Sequence, residues 1–381
     1  MDTSKELYTI ERDALVRTLS TVEKRDKMAV VIKGRNLVDF SSNDYLGLSD
    51  HESVISASIE AARAWGVGSR AARLMSGDLV LHQELERYIA DFKGTKNALL
   101  FGSGYLANVG IISAICGRGD YIFADRYVHA SIIDGIRLSG ARFFRFAHND
   151  LNHLEDLLKK YRAKKGKKLI VAESLYSMDG DIAPIKGLIQ LKERYGTVLM
   201  IDEAHAVGCY GRRGEGLVTR SLARSVDVMV GTFGKALGGY GAFAAVSSKI
   251  RDYLINRARS FIFSTALPPS VVGGNIESIK VVQRDSYRRK ILFQRASSLR
   301  KALMERLDID MTSRSYIVPV YLGDSSLALK VAKVLSEKGF YVRAIRPPTV
   351  PRGTARIRLS VTSHHSAEDI SRLVEAFCSV L

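Results

Sequence analysis

Two apolar runs in the middle of the chain end on residues able to do acid–base or nucleophilic chemistry. Val198-Leu199-Met200-Ile201 leads into Asp202-Glu203-Ala204-His205, and Val226 to Val230 leads into Gly231-Thr232-Phe233-Gly234-Lys235. A carboxylate ending a buried strand is costly unless a cation meets it. A protonated pyridine nitrogen is one such cation; capping of a helix N-terminus is the competing role for Asp202. Glycines around Lys235 let the backbone pass close to a flat ring. A lysine partly stripped of solvent there gains nucleophilicity toward an aldehyde. The T-x-G-K spacing is weak by itself, because exposed lysines are common; the acid-ended run upstream gives it weight.

Two further segments have the same placement. Phe101-Gly102-Ser103-Gly104-Tyr105 is a small-residue turn between an apolar run and an apolar helix. Free N–H groups and the helix dipole at such a point favour an anion. The segment is neither G-x-x-x-x-G-K-[ST] nor G-x-G-x-x-G, so it does not argue for a nucleotide. In Asp125-Arg126-Tyr127-Val128-His129, the histidine again follows an apolar run. A flat imidazole there can stack on a ring, although a lone histidine is as readily structural. Together a lysine, an acid, an anion cradle and a ring-packing side chain are the parts that pyridoxal phosphate needs.

Elements must bring these pieces together. Short apolar runs at 98–101, 121–124, 169–172, 198–201 and 226–230 alternate with amphipathic stretches such as 151–161 and 186–195. The pattern predicts an α/β fold with a large, mainly parallel sheet covered by helices on both faces. Ligands of such sheets lie beyond the carboxyl ends of the strands, where the candidate residues fall. Ahead of it, residues 1–40 read as a polar helix and a short strand, V-V-I-K-G-R-N-L-V-D-F. After Pro268-Pro269 a long helical stretch runs to about Leu307, followed by short strands and two helices. This gives three parts: an N-terminal segment 1–40, a large domain 41–270 and a smaller α+β domain 271–381.

Composition narrows the function classes. The 381 residues suit one large domain plus a small one. No run of about 18 uncharged apolar residues occurs, so no membrane span is expected, and the first residues do not read as a signal peptide. The three cysteines, Cys116, Cys209 and Cys378, have no metal-ligand spacing. They read as buried or incidental thiols of a reducing compartment, which points to the cytoplasm. The net charge of +17 is scattered, densest at Lys159–Lys168, where a solvated helix end and loop is expected. No interleaving with aromatic residues suggests a nucleic-acid module.

The sequence resembles the α-oxoamine synthase family of fold-type I pyridoxal-phosphate enzymes from about residue 36 to the C-terminus. The motifs carrying the resemblance are S-S-N-D-Y-L-G-L at 41–48, S-G-Y-L-A-N at 103–108, D-R-Y-V-H-A-S at 125–131, S-M-D-G-D at 177–181, D-E-A-H at 202–205 and T-F-G-K at 232–235. They continue with F-S-T-A-L-P-P at 263–269 and R-I-R-L-S-V-T at 356–362. R-F-A-H-N-D at 145–150 and A-I-R-P-P-T-V-P at 344–351 point to the biotin-pathway branch. That branch condenses L-alanine with a pimeloyl thioester, on coenzyme A or acyl carrier protein, and releases carbon dioxide and the thiol. Sister synthases that use glycine or serine, and other fold-type I enzymes, are the neighbouring alternatives.

The resemblance implies roles residue by residue. Lys235 bonds the cofactor covalently and later moves the α-proton. Asp202 pairs with the pyridinium nitrogen, His129 stacks on the ring, and His205 and Ser177 contact the ring oxygen. Ser103, Gly104, Tyr105 and Thr232 surround the phosphate. Thr265 reaches the phosphate of a neighbouring subunit, implying a homodimer with its active site at the interface. Arg358 holds the amino acid carboxylate with Asn43 nearby, and Thr349 and Arg17 contact substrate. One segment departs from the family pattern. G-V-G-S-R-A-A-R-L-M-S-G at 66–77 places Arg70, Ala71 and Ala72 where a glycine- and serine-rich run is usual, which bears on the shape of the acyl pocket.

Overall fold

The structure is a computed structural model describing residues 3–309 and 311–381. The described chain divides into two units. The larger comprises Leu48–Tyr176 and Ile182–Ser286; the smaller comprises the residues up to Gly47, Ser177–Asp181 and Tyr287–Leu381. This differs from the three-part reading. The N-terminal segment belongs with the C-terminal one, the second boundary falls after Ser286, and a five-residue piece of the S-M-D-G-D motif belongs to the smaller unit.

The larger unit is built on seven strands: β1 (Asn97–Phe101), β2 (Tyr121–Asp125), β3 (Arg142–Phe146), β4 (Lys168–Glu173), β5 (Val198–Asp202), β6 (Val228–Thr232) and β7 (Ala242–Val246). Their order is β1-β7-β6-β5-β4-β2-β3. β7 is antiparallel to both neighbours, and the remaining pairings are parallel. The central strands are unbroken apolar runs because both faces are covered. Leu99, Ile122, Val171, Met200 and Val230 pack in one cluster with Ile111, Ile112, Ile132 and Ile136 from helices. Each such side chain contributes about 1.5–3 kcal/mol by leaving water.

Three helices of this unit position site residues: α1 (Val80–Lys93), α2 (Gly104–Ile115) and α3 (Ala130–Ser139). α2 is apolar nearly all round, as a helix buried on most sides must be. It lies close to α3 because residue 135 is glycine; a Cβ there would stand 3.0 Å from the Asn108 carbonyl oxygen and 3.1 Å from Val109 Cα. Lys93, ending α1, forms a fully buried ion pair with Glu203 and also contacts the Glu215 carbonyl oxygen. Glu203 in turn accepts a hydrogen bond from Val218 N at 2.8 Å. The pair fixes the segment after β5 immediately beside Asp202.

The smaller unit has two sheets. One joins Lys24–Asp26, Ala29–Ile32, Arg35–Asp39 and Phe340–Tyr341; the other places Ala355–Ser360 between Ile317–Gly323 and Arg343–Ile345. The run expected as one strand at 30–40 is a hairpin. Lys33 and Gly34 both have positive φ (51° and 69°), the geometry of a tight hairpin turn. The helices expected at 151–161 and 186–195 are present as Leu151–Tyr161 and Ile185–Tyr195. Past Pro268, the helical stretch is two helices, Pro269–Arg284 and Ser286–Leu307.

Candidate active site

The carboxyl edge of the large sheet forms a cavity of about 190 Å³ lined by Gly104, Tyr105, Asn108, His129, Asp202 and Lys235, among others. It assembles because β2, β5 and β6 run parallel and end at one edge, while α2 starts there. Asp202 is almost buried. Its Oδ1 accepts from Ala204 N and its Oδ2 from Asn108 Nδ2, both at 2.8 Å. These neutral donors orient the carboxylate without cancelling its charge. Asn108 Nδ2 also donates to Ser131 Oγ at 2.9 Å.

Lys235 lies in the hairpin that joins β6 to β7. Thr232 stands opposite Ala242 at the base of this loop, and three backbone bonds close it: Phe233 N donates to Gly241 O at 3.0 Å, Gly239 N to Phe233 O at 2.9 Å and Gly238 N to Lys235 O at 2.8 Å. Gly238 has φ +63°, and a Cβ there would strike the Ser49 nitrogen at 2.4 Å, so glycine is required. Within this frame, Lys235 Nζ sits 2.8 Å from His205 Nε2.

His129 caps α3, its Nδ1 accepting from Ser131 N at 3.2 Å and lying 2.7 Å from Ser131 Oγ. One side of the residue is open to solvent. Loss of solvation in the recess holds its pKa below the ordinary value, with Asp202 opposing and Lys235 adding to the shift. At the start of α2, Ser103 Oγ accepts from Leu106 N at 3.2 Å. The first-turn N–H groups of Gly104 and Tyr105 have no acceptor within a helix. Thr232 stands beside them, its Cβ 3.9 Å from the position a Cβ on Gly104 would take. The Thr232 hydroxyl donates to Gly241 O at 3.0 Å and accepts from Gly234 N at 3.3 Å. An anion-accepting helix end, an oriented carboxylate and a lysine in one recess fit pyridoxal phosphate.

Thr265 lies outside that lining. It is exposed, bridges to Ala72, and helps line a separate shallow recess with Arg73 and His82. The departing segment is therefore structurally tied to it. Arg70 adopts φ +66°, and Ala71 O accepts from Ala266 N at 3.1 Å.

In the smaller unit, Arg358 is largely buried on strand Ala355–Ser360. Its Nε donates to Ser177 O at 2.5 Å, Nη1 to Ser360 Oγ at 2.7 Å and Asn43 Oδ1 at 3.3 Å, and Nη2 to Tyr45 OH at 3.1 Å. These acceptors are neutral oxygens and leave the guanidinium charge to be met by an anion. Arg356, two residues earlier, differs: its Nη1 pairs with Asp179 at 2.6 Å, and its guanidinium lies 4.3 Å from the Tyr321 ring centroid. Three of the expected residues, Ser177, Asn43 and Arg358, thus form one cluster. Arg17 and Thr349 form a second. Arg17 Nη2 donates to Pro347 O at 3.4 Å, and Thr349 N donates to Arg346 O at 3.1 Å. Arg346 holds residues 14–16 through the carbonyls of Ala14 and Val16, the latter at 2.9 Å.

Several residues in these clusters were not singled out from sequence: Asn108, Ser131, Glu173, Tyr45 and Ser360. Asn108 had a readable signal, an amide side chain four positions after Gly104 on a mainly apolar helix. Glu173 had another, since it ends the run 169–172 as Asp202 ends 198–201.

Fold and site together define a fold-type I pyridoxal-phosphate-dependent transferase. The chain belongs to the aminotransferase class I and II family, whose model matches residues 35–377. It is 46% identical over 378 residues to an 8-amino-7-oxononanoate synthase of Geobacter sulfurreducens, covering 98% of this chain and 96% of that protein. A protein of the same name from Geotalea daltonii is 44% identical over 379 residues, covering 99% and 96%. Among solved structures, a serine palmitoyltransferase of S. paucimobilis with bound PLP–myriocin matches with TM-score 0.94 at 31% identity, covering 100% of this chain and 98% of that one. An 8-amino-7-oxononanoate synthase of Francisella tularensis matches with TM-score 0.77 at 31% identity, covering 90% and 97%.

Proposed function

We propose that this protein condenses L-alanine with a pimeloyl thioester, releasing carbon dioxide and the thiol and forming 8-amino-7-oxononanoate for biotin biosynthesis. The observation that carries the chemistry is Lys235 and Asp202 facing one recess above the sheet. The choice of substrates is supported by relatives at 44–46% identity that bear that synthase's name.

Lys235 would hold the cofactor, Asp202 its ring nitrogen, and Gly104, Tyr105 and Thr232 its phosphate, with His129 against the ring and His205 and Ser177 at the ring oxygen. When bound, the cofactor supplies an electron sink for a carbanion at the amino acid Cα. Arg358 binds the amino acid carboxylate with Asn43 beside it. Lys235 Nζ takes the Cα proton, and His205, 2.8 Å away, orients that amine. Carbon–carbon bond formation at the thioester carbonyl expels the thiol, and loss of the carboxyl group as carbon dioxide is followed by return of a proton to Cα. Arg17 and Thr349 contact the acyl part.

A homodimer with Thr265 reaching the partner's phosphate is part of this reading. It is supported by exposed apolar side chains around 66–77 and 263: Val67, Met75 and Phe263 are 85%, 79% and 70% exposed. Among the described residues no helix is long and apolar enough to cross a membrane. The three cysteines, all thiols, support a reducing compartment, and on that ground we place the enzyme in the cytoplasm. Incubating the protein with pyridoxal phosphate, pimeloyl-CoA and alanine, glycine or serine in turn tests the reading. Thiol release and an 8-amino-7-oxononanoate mass with alanine are expected. Faster release with glycine or serine would reassign it to a sister synthase.

A further inference from the structure

β4 and β5 both end on an acid, and the two acids are paired in register: Glu173 stands opposite Asp202. Paired positions of adjacent parallel strands project from the same face of a sheet, so two carboxyl groups lie side by side, only 2% and 6% exposed. Their surroundings differ. Both Asp202 oxygens accept hydrogen bonds, from Ala204 N and Asn108 Nδ2. The backbone N–H of His129 lies close enough to Glu173 to favour its charged form, but Glu173 Oε1 is buried with no hydrogen-bond partner. The residue lines the cofactor recess together with Asn108, His129, Asp202 and Lys235.

A bare carboxylate oxygen in such a place is costly, and like charges on paired strand positions repel. A neutral carboxylic acid removes the repulsion and the cost of a buried charge, and gains an O–H donor. The charged and titratable groups around Glu173 are Asp202 on β5, Asp125 on β2, Lys235 after β6 and His129 ahead of α3. Asp125 is already engaged by Tyr127 N, Asn149 N and His148 Nδ1, each at 2.8 Å. Burial first, and the Asp202 charge second, push the Glu173 carboxyl well above the usual range, against Lys235 and the His129 N–H.

We propose that Glu173 is a positioning residue of the cofactor recess. One carboxyl oxygen fixes the backbone at His129, and the other carries a proton and donates into the recess, leaving Asp202 as the anion that meets the cofactor ring. Two ionised carboxylates there would share the ring's positive charge and loosen the head of α3. A single anion keeps the charge on one carboxylate, and a bond from His129 N to Glu173 would fix the ring-stacking side chain.

The proposal rests on the cofactor class and not on the choice of substrates, and the test uses no substrate. Protein reconstituted with pyridoxal phosphate is compared with Glu173→Gln and Glu173→Leu. Circular dichroism first establishes that the variants are folded. The infrared spectrum of the wild type should contain a protonated-carboxyl band that Glu173→Gln lacks. The pH midpoint of the visible band of the lysine-bound cofactor should stay within about 0.3 of wild type in Glu173→Gln, since neither side chain is charged. Glu173→Leu should bind the cofactor about tenfold more weakly, having lost the hydrogen bonds. A midpoint lowered by a full unit in Glu173→Gln, or no carboxyl band to lose, would show an ionised Glu173 and overturn the proposal. Unchanged cofactor affinity in Glu173→Leu would overturn the positioning role.

Discussion

Lys235 Nζ and His205 Nε2 lie 2.8 Å apart, although one follows β6 and the other follows β5. The distance is set by the parallel pairing of those strands, in which Asp202 stands opposite Val230. An amine next to an imidazole can exchange a hydrogen bond with it, which suits the role proposed for Lys235, bonding a cofactor and then carrying a proton.

Lys235→Ala should retain pyridoxal phosphate through the α2 terminus and Asp202 but lose the visible band of the lysine-bound cofactor. Turnover should fall by about 10³-fold or more, since a positioned proton-transfer group is removed. Absorbance and thiol-release assays on the same preparation check both; wild-type turnover would sink the assignment.

Asp202→Asn keeps the shape and removes the charge. The exchange of the alanine α-proton with solvent should slow by about 10²-fold, roughly 3 kcal/mol. Proton NMR in heavy water measures this without the acyl donor. An unchanged rate would mean that Asp202 does not control the ring charge.

Arg358 and Arg356 should behave oppositely. Arg358→Met should raise KM for alanine by about 10–100-fold, the loss of a charge-assisted pair, with a smaller loss of stability than Arg356→Met because the acceptors it strands are neutral oxygens. Arg356→Met should instead cost about 3 kcal/mol of stability by stranding Asp179. Steady-state kinetics and urea unfolding of the two variants separate the roles; an unaltered KM in the first would remove Arg358 from the carboxylate site.

His365 gives the fold a pH dependence. Stacked on Phe40 with centroids 3.9 Å apart, it accepts from Thr362 N through Nδ1 at 2.9 Å and meets Asp39 O through Nε2 at 3.2 Å. Its burial lowers its pKa to about 4, while the unfolded value is about 6.5. Between those values the unfolded chain binds the extra proton. Stability is therefore full above about pH 6.5 and falls by roughly 3 kcal/mol as pH drops toward 4. His365→Gln, which can keep an acceptor and a donor in place, should flatten that slope in urea titrations at pH 4.5, 5.5 and 7. A slope as steep as wild type would assign it elsewhere.

The strand ends were the most legible part of the chain, because a buried parallel strand is an apolar run and its polar terminus marks the ligand edge. The 226–230 run is the instructive exception: the strand is Val228–Thr232. Asp227 turns its carboxylate to Leu199 N at 2.8 Å, and β7 extends the pairing to Thr232, a partner that no local pattern announces. β3 and β7 were not anticipated, and R-F-F-R-F is only partly buried at the sheet edge. The hairpin at Lys33-Gly34 hid because lysine rarely adopts positive φ. The Arg358 cluster joins positions 43, 177 and 358, a grouping that the family motifs suggest and periodicity cannot. Residues 162–166, by contrast, are exposed as the basic composition predicts.

The closed hairpin around Lys235 also decides where this chain tolerates surgery. Its loop is bonded at both ends and doubled back at Gly238, so new termini or an inserted tag between Phe233 and Gly241 would free the lysine from the register that aims it. The solvent-facing turn at 162–166, which ends a helix and contributes nothing to the recess lining, is the place to open the chain.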